Sequence, residues 1–250
     1  FSSMGYDDRW NGDVPASALV EMDPDGTYRF ISRGIEYNGT FPLGNGRMAV
    51  CDMYGHRVVE VDTKGKITRV IADKYGGKRL DGPNDLCVDD KGGVYFSDPQ
   101  ILPKPHMQPG PSVLYARPNG EVIRVVEPGT LIKPNGLILS ADCKTLYVNS
   151  TPEDYMLAYD VNPDGSTSNP RKFGKLLVTP EMRDQQSVNP QVDGMTMDEQ
   201  GNVYITSIIG LQIFHPTGEF LGMIHFPLMP VNCCFGDADG KTLYVLCNDK

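Results

Sequence analysis

The sequence predicts an all-β protein, and within that class a six-bladed β-propeller with four antiparallel strands in each blade. A motif made of Asn or Asp, a short apolar strand, a turn and a second strand occurs five times. The copies begin at Asn38, Asn84, Asn135, Asp193 and Asn232. Their intervals of 39 to 58 residues lie near the period of about 40 to 50 residues that is typical of four-stranded propeller blades. The chain shows almost no 3.6-residue periodicity, so few helices are expected.

The copy that begins at Asn84 shows how each repeat is composed. A short apolar strand follows Asn84, the turn Asp89–Gly93 reverses the chain, and Val94–Ser97 forms the second strand. An outer hairpin follows, with strands at Ser112–Ala116 and Val122–Val126. Turn residues between alternating or apolar runs are the signature of such hairpins.

The remaining copies extend this pattern to both ends of the chain. Residues 1–34 resemble the last part of an earlier blade, and later copies turn at Ser140–Lys144, Asp198–Gly201 and Asp237–Lys241. The chain stops after the second strand of its fifth copy. We therefore expect a single propeller domain over residues 1–250, with incomplete first and last blades.

Composition excludes some classes of partner. The 250 residues carry a formal net charge of −9, which argues against nucleic-acid binding. No apolar run approaches the ~20 residues of a membrane span, so no membrane is expected. The six cysteines include no CxxC pair, which favours buried free thiols and a reducing, cytoplasmic compartment. Because the chain begins at Phe1 and not at Met, a removed signal peptide stays an alternative.

The five motif starts form the candidate site. In a four-stranded blade the first strand lies nearest the central channel, so these side chains are expected around one mouth of that channel. Carboxamide and carboxylate oxygens suit a hard cation, above all Ca²⁺. The alternative is that Asn or Asp before Gly serves only to form a turn, an interpretation that is strongest for Asn38 and Asn232.

Three segments resemble the SMP-30/gluconolactonase/LRE-like family. They are Asp81–Leu86 with Tyr95–Pro99, Lys133–Leu137 with Lys144–Val148, and Val192–Met195 with Gly201–Tyr204. The resemblance, over nearly the whole chain, implies a six-bladed propeller and a divalent-metal-dependent lactonase.

The resemblance also implies roles for individual residues. Asn135 and Asp193 match family metal ligands, and Asn84 matches a residue that binds the metal or faces the substrate. The metal would be Ca²⁺, or another divalent cation such as Zn²⁺ or Mg²⁺. A further family ligand, a Glu of the first blade, would lie before Phe1. Glu21 and Glu36 are expected to be poor replacements, because neither is predicted to precede an innermost strand.

The predicted reaction is the opening of a small-molecule lactone or ester. The metal would polarise the carbonyl group, and Asp193 would be both a ligand and the candidate general base. Asp98 could add a hydrogen bond at the same mouth, or could simply end its strand.

Substrate contacts are expected from the mouth and from the loops between the second and third strands of each blade. The predicted contact residues are Asn38, Asn84, Asp85, Met107 and Met156. Because these loops are rich in apolar residues, we expect a substrate with an apolar portion.

Two other functions fit the same residues. One is a phosphotriesterase of the same fold, since a metal and a carboxylate also serve phosphorus chemistry. The other is a non-catalytic propeller that binds a ligand, with Ca²⁺ in a structural role. The sequence leaves the oligomeric state open.

Overall fold

The computed structural model describes residues 2–3, 17–23, 25–33, 35–180, 182 and 189–248. In these residues the chain forms 23 β-strands and almost no helix. The chain divides into two compact units, residues 1–128 and residues 129–250, here called the first and the second unit. No helix among the described residues has the length and apolar character needed to cross a membrane.

The first unit holds thirteen strands in its described residues. They are β1 (Ser2–Ser3), β2 (Ala18–Met22), β3 (Tyr28–Arg33), β4 (Tyr37–Gly44), β5 (Arg47–Asp52), β6 (Arg57–Val61), β7 (Ile67–Ala72), β8 (Lys74–Tyr75), β9 (Lys78–Arg79), β10 (Leu86–Val88), β11 (Val94–Asp98), β12 (Ser112–Ala116) and β13 (Val122–Val126). They form two four-stranded sheets, β4–β7 and β10–β13, together with the three-stranded sheet β1–β3 and the hairpin β8–β9.

The second unit holds ten strands in its described residues. They are β14 (Pro134–Leu139), β15 (Thr145–Ser150), β16 (Tyr155–Val161), β17 (Thr167–Lys175), β18 (Met195–Met197), β19 (Val203–Ser207), β20 (Gly210–Phe214), β21 (Phe220–Ile224), β22 (Met229–Gly236) and β23 (Thr242–Asn248). They form the four-stranded sheets β14–β17 and β18–β21 and the two-stranded sheet β22–β23.

All four four-stranded sheets have the same topology. Strands that follow one another in sequence pair antiparallel, so each sheet runs up and down in chain order. Such sheets are the blades of propellers, and the all-β, propeller-like fold is confirmed. The three-stranded sheet β1–β3 and the two-stranded sheet β22–β23 are formed by the two ends of the chain, where incomplete blades are predicted.

The turn between the first two strands of a sheet explains one part of the repeat. Oδ1 of Asp89 accepts hydrogen bonds from the main-chain N–H groups of Lys91 (2.9 Å) and Gly93 (2.7 Å). The φ angle of Gly92 is 83°, which an L side chain rarely adopts. Asp198 forms the equivalent turn in the second unit. The Asp and Gly of these turns are therefore fixed by local backbone chemistry.

Each unit has its own hydrophobic core. In the first unit Leu80, Phe96 and Leu114 are fully buried in one cluster. In the second unit Met156, Ile205 and Phe214 are fully buried in another. All six cysteines are free, as predicted, but only Cys51, Cys87 and Cys233 are buried. The prediction that the thiols are buried is wrong for the other three.

Two features differ from the sequence prediction. Met156 lies inside β16 and is fully buried, so it is a core residue and not part of a loop that walls a pocket. The hairpin β8–β9 was not predicted, although its Gly76-Gly77 turn has positive φ at both positions, 57° and 76°. Such a turn suits the twist of a two-residue hairpin.

Candidate functional site

The five motif residues lie where the first strand of a sheet begins. Asn38, Asn135 and Asn232 are near the starts of β4, β14 and β22, while Asn84 and Asp193 come just before β10 and β18. Asn135 is buried, and the other four are half-buried. Because the position is the same in every repeat, the side chains share the same end of their sheets.

The glycines after these residues have a packing function. A Cβ atom on Gly39 would lie 2.6 Å from Cα of Asp85, and a Cβ atom on Gly194 would lie 2.9 Å from Cα of Asn232. A Cβ atom on Gly136 would collide with the main-chain carbonyl oxygen of Asp193, just before the next sheet of the second unit. None of these three glycines has a positive φ, so the turn interpretation does not apply to them. Gly is needed because the start of one sheet touches its neighbour within the same unit.

In the first unit, Asn84 is held by its main chain. Its N–H donates to the Ser97 carbonyl oxygen (2.9 Å), and its own carbonyl oxygen accepts from Gly39 N (2.8 Å). Oδ1 of Asp85 accepts from the N–H of Leu86 at 2.9 Å. The side chain of Asn84 forms no hydrogen bond with any other described residue, so its amide group is available to a ligand.

Asp98 lies next to Asp81, both of them buried. Both carboxylate oxygens of Asp98 accept from Asp81 N, at 3.2 and 3.0 Å. The pKa of Asp98 is raised to about 6, mainly by burial. Main-chain hydrogen bonds act against this rise, and the negative charge of Asp81 adds to it. Asp98 therefore ends β11 in the interior, and its described hydrogen bonds fix the chain around Asp81.

Asp81 anchors the proline-rich loop that follows β11. Its carboxylate accepts from the N–H groups of Met107 (2.6 Å) and Gln108 (2.9 Å) and from Nε2 of Gln100 (2.7 Å). The side chain of Met107 is 42% exposed, so a ligand can reach it. Sequence reasoning did not assign Asp81 a role, although it directly precedes the Gly82-Pro83-Asn84 motif.

Glu36 is a second buried carboxyl group of the first unit. It is 2% exposed, and its Oε2 atom has no hydrogen-bond partner in the described part of the chain. Burial raises the pKa of Glu36 to about 7, with a further contribution from the charge of Asp52. Glu36 directly precedes β4, the first strand of its sheet, so the prediction that it precedes no innermost strand is wrong. Glu21, by contrast, is solvent-accessible and paired with Arg29.

In the second unit, Asn135 and Asp193 come together. Nδ2 of Asn135 donates to Oγ1 of Thr151 (3.0 Å) and to the Val192 carbonyl oxygen (3.4 Å). Burial raises the pKa of Asp193 to about 6, while a hydrogen bond from Asn135 and the charge of Lys133 act in the opposite direction. The carboxyl group is thus mostly ionised at neutral pH, in a place where water solvates it poorly.

Asn149 completes this cluster, and sequence reasoning did not single it out. It lies at the end of β15, is fully buried, and donates from Nδ2 to the Asp193 carbonyl oxygen at 2.6 Å. The signal that could have found it is a carboxamide at the end of an otherwise apolar strand. Its place beside Asp193 comes from the tertiary structure, since the two residues are 44 positions apart.

The cluster has the donor set that a hard cation requires. Oδ1 of Asn135 and Oδ1 of Asn149 are buried, and neither has a hydrogen-bond partner among the described residues. Buried acceptors are seldom left without a partner, and an oxygen-binding cation such as Ca²⁺ would satisfy them. No group of three or more His, Cys, Asp or Glu side chains suited to a metal occurs among the described residues. A site here therefore depends on amide oxygens.

Comparisons with known proteins identify relatives along the whole chain. The chain is 35% identical to a gluconolactonase of Zymomonas mobilis, with 93% of this chain and 70% of the relative covered. A solved gluconolactonase structure from Xanthomonas campestris superposes with a TM-score of 0.80 at 27% identity, over 92% of this chain and 75% of the other.

A more distant likeness shows the fold alone. The structure of a calcium-binding protein, regucalcin from Agrobacterium tumefaciens, superposes with a TM-score of 0.68 at 14% identity, over 88% of this chain and 71% of the other.

The sequence model of the SMP-30/gluconolactonase/LRE-like region matches residues 8–248. The chain therefore belongs to the SMP-30/gluconolactonase/LRE-like family.

Proposed function

We propose that this protein is a divalent-metal-dependent lactonase, a hydrolase that opens a lactone ring. One observation carries the metal dependence: the buried amide oxygens of Asn135 and Asn149 have no hydrogen-bond donor among the described residues, and both amides contact the main chain at Val192 and Asp193. Membership of the family and the likeness to gluconolactonases support the hydrolase activity. The calcium-binding relative makes Ca²⁺ the first metal to test.

Asn135 and Asp193 would hold the cation, which when bound polarises the lactone carbonyl group and acidifies a water molecule. The hydrogen bonds of Asn135 Nδ2 to Thr151 and Val192 orient the amide so that Oδ1 stays available. Asn149 fixes the main chain of Asp193 through its 2.6 Å hydrogen bond. Both amides thus position the oxygens before any ligand arrives, which lowers the cost of ordering them on binding.

Asp193 is also the candidate general base. Its carboxylate accepts a proton from the attacking water as the new C–O bond forms at the carbonyl carbon. The ring C–O bond then breaks, and the leaving alkoxide takes up the proton that Asp193 accepted, which gives a hydroxy acid and returns the carboxylate to its ionised form. A divalent cation bound to the carboxylate would lower the pKa of Asp193 below the value of about 6 that burial gives it, so the cation would also have to acidify the water that Asp193 deprotonates.

The substrate would be a lactone or ester with an apolar portion. Ile208, which belongs to the same unit as Asn135 and Asp193, is 38% exposed, so it offers apolar surface to a ligand. Met107 stays a predicted substrate contact. The roles of Asn38, Asn84 and Asp85 as substrate contacts stay predictions. Met156 is no longer a candidate, because it is fully buried in the core of the second unit.

We extend the proposal to the architecture. A six-bladed ring in one domain would complete the blades of which β1–β3 and β22–β23 are parts. An experimental structure of the protein tests this, since it shows whether six blades close into one ring.

Hydrolysis assays before and after metal removal test the function. Acid release from glucono-δ-lactone is followed against an enzyme-free blank, because this lactone also opens spontaneously. Treatment with EDTA is expected to abolish the enzymatic rate, and Ca²⁺ is expected to restore it, with Zn²⁺ and Mg²⁺ compared in parallel. An unchanged rate after EDTA would contradict the metal dependence. Faster hydrolysis of an organophosphate than of any lactone would favour the phosphotriesterase alternative.

A further inference from the structure

A cavity in the first unit is lined mostly by polar and charged residues. Its volume is about 380 Å³, near the lower limit of small-molecule sites. It is bounded by the turn between β5 and β6, by β7 and by the hairpin β8–β9. The lining residues with polar or charged side chains are His56, Arg57, Asp73, Lys74 and Arg79.

The hairpin places two cations side by side. Lys74 and Arg79 are directly opposite each other in the antiparallel pairing of β8 and β9. Opposed residues have their Cβ atoms about 4.5–5.5 Å apart, and like charges in this arrangement are destabilising. Neither side chain forms an ion pair with a carboxylate in the described part of the chain. The protein as a whole has a net charge of −9, so two neighbouring cations that form no ion pair with any described residue stand out.

The other charged residues of the lining determine the net charge of the cavity. Arg57 donates from Nε to the buried carboxylate of Asp52 at 2.7 Å, so its charge is already neutralised. Asp73 is the single carboxylate of the lining. The two cations of the hairpin and the one anion of Asp73 leave one positive charge, which favours a monoanion over a dianion.

The rest of the structure holds the hairpin in place. Nε2 of Gln108 donates to the carbonyl oxygens of Tyr75, Lys78 and Arg79, at 3.2, 3.0 and 2.9 Å. The Arg124 guanidinium lies 4.6 Å from the centre of the Tyr75 ring. The cations are therefore mounted on a fixed backbone, which reduces the ordering that a ligand would have to impose.

His56 also lines this cavity and is half-buried. Its Nδ1 atom is buried and has no hydrogen-bond partner in the described residues. Burial lowers the pKa of the imidazole, and the positive charge of Arg79 lowers it further. The imidazole is therefore neutral near pH 7 and adds no positive charge to the two cations of the hairpin.

We propose that this cavity is a binding site for the carboxylate group of a small organic acid, with Arg79 and Lys74 as the anion-binding residues. The planar guanidinium fork of Arg matches a carboxylate with two parallel hydrogen bonds. Lys74 supplies a second, point-like charge. The site does not depend on the proposed lactonase activity, because an organic acid could bind here whether or not the protein produces it.

Binding measurements with sodium gluconate test the proposal. Calorimetric titrations at low salt compare the unaltered protein with the double variant Lys74→Gln/Arg79→Gln. The matched control is Lys64→Gln/Lys66→Gln, which removes two exposed charges from the turn between β6 and β7 and changes the net charge equally. We expect saturable binding that is weakened about tenfold or more by the first pair, since it removes charge-assisted hydrogen bonds, and by less than about twofold by the control.

Inorganic phosphate and glucose complete the design. Phosphate is expected to bind more weakly than gluconate, and glucose, which has no carboxylate, is expected not to bind. Equal weakening by the two variant pairs, or no saturable binding of gluconate, would overturn the proposal. Tighter binding of phosphate would overturn the carboxylate assignment. If the double variant is unfolded by circular dichroism, Lys74→Gln alone carries the same expected direction, because Lys74 is an exposed hairpin residue.

Discussion

Asp81 in the first unit and Asp193 in the second are both Asp-Gly residues near the start of the first strand of a sheet, but their surroundings differ. The Asp81 carboxylate accepts three hydrogen bonds, two from main-chain N–H groups and one from Gln100. The Asp193 carboxylate lies beside Asn135, whose Oδ1 atom has no partner among the described residues. One acid is saturated by the protein, while the other belongs to a cluster that retains acceptor capacity.

This difference separates a scaffold residue from a candidate reactive one. Hydrogen bonds from neutral N–H groups stabilise a buried carboxylate and fix the chain that supplies them. Buried oxygen atoms that lack hydrogen-bond donors raise the free energy of the folded state, and a bound cation would compensate for the missing donors. The number of donors around each acid, and not the local sequence, therefore predicts which substitution affects activity and which affects stability.

The largest expected effect is on the activity of Asp193→Asn. We expect kcat/KM for lactone opening to fall about 1000-fold, equivalent to about 4 kcal/mol of transition-state stabilisation. The free energy of unfolding should change little, because the substitution removes a poorly solvated charge. Asp198→Asn, in the turn that precedes β19, is the control and should stay within about twofold of the unaltered rate. Comparable activity in both variants would rule out a catalytic role for Asp193.

Asp81→Asn is expected to affect stability instead. The amide of the new side chain would face an N–H group, so at least one of three buried donors loses its acceptor. We expect a loss of about 2–4 kcal/mol in the free energy of unfolding, measured by urea denaturation, with faster hydrogen exchange at Met107 and Gln108. Asp62→Asn, which alters a solvent-accessible turn, should cost less. An equal loss in the two variants would show that the anchor at Asp81 is unimportant.

Glu36 links stability to pH. Its pKa is raised from 4.5 to about 7 by burial, so between these values the folded state binds this proton more tightly than the unfolded chain does. The contribution of Glu36 to the free energy of unfolding therefore decreases as pH rises from about 4.5 to about 7, by at most about 3 kcal/mol. Glu36→Gln should remove that decrease in denaturation curves recorded across this range. The exposed Glu121→Gln serves as the control, and identical pH profiles for Glu36→Gln and the unaltered protein would refute the assignment.

The smallest expected effect is that of Asn149→Ala. Loss of the 2.6 Å hydrogen bond to the Asp193 carbonyl oxygen should reduce kcat/KM and the affinity for Ca²⁺ about tenfold each, or about 1.4 kcal/mol. Calorimetry gives the Ca²⁺ affinity independently of turnover. Asn162→Ala, at a turn in the same unit, should leave both quantities unchanged. If both variants behave alike, Asn149 does not position Asp193.

Local patterns made much of the fold predictable. The Asp and Gly residues of the turn before β11 are fixed by bonds that span two to four residues, so they could be recognised directly. The hairpin β8–β9 was missed because its two-residue strands carry almost no apolar pattern, and only the Gly76-Gly77 turn marks it. Met156 was misplaced because an apolar residue near a strand end can face a loop or the core, and periodicity does not separate the two.

The sequence by itself determined the all-β class, the repeated strand starts and the family, and it singled out Asn135 and Asp193. Only the tertiary structure decided that Asp81 holds the loop after β11 and that Asn149 donates to the Asp193 carbonyl oxygen. It also decided that Lys74 and Arg79 line a cavity. The physical reason is the range of the interactions. Strand and turn preferences act over a few neighbouring residues. The donors to the Asp81 carboxylate, and the amide that binds the Asp193 carbonyl oxygen, come instead from residues 19 to 44 positions away.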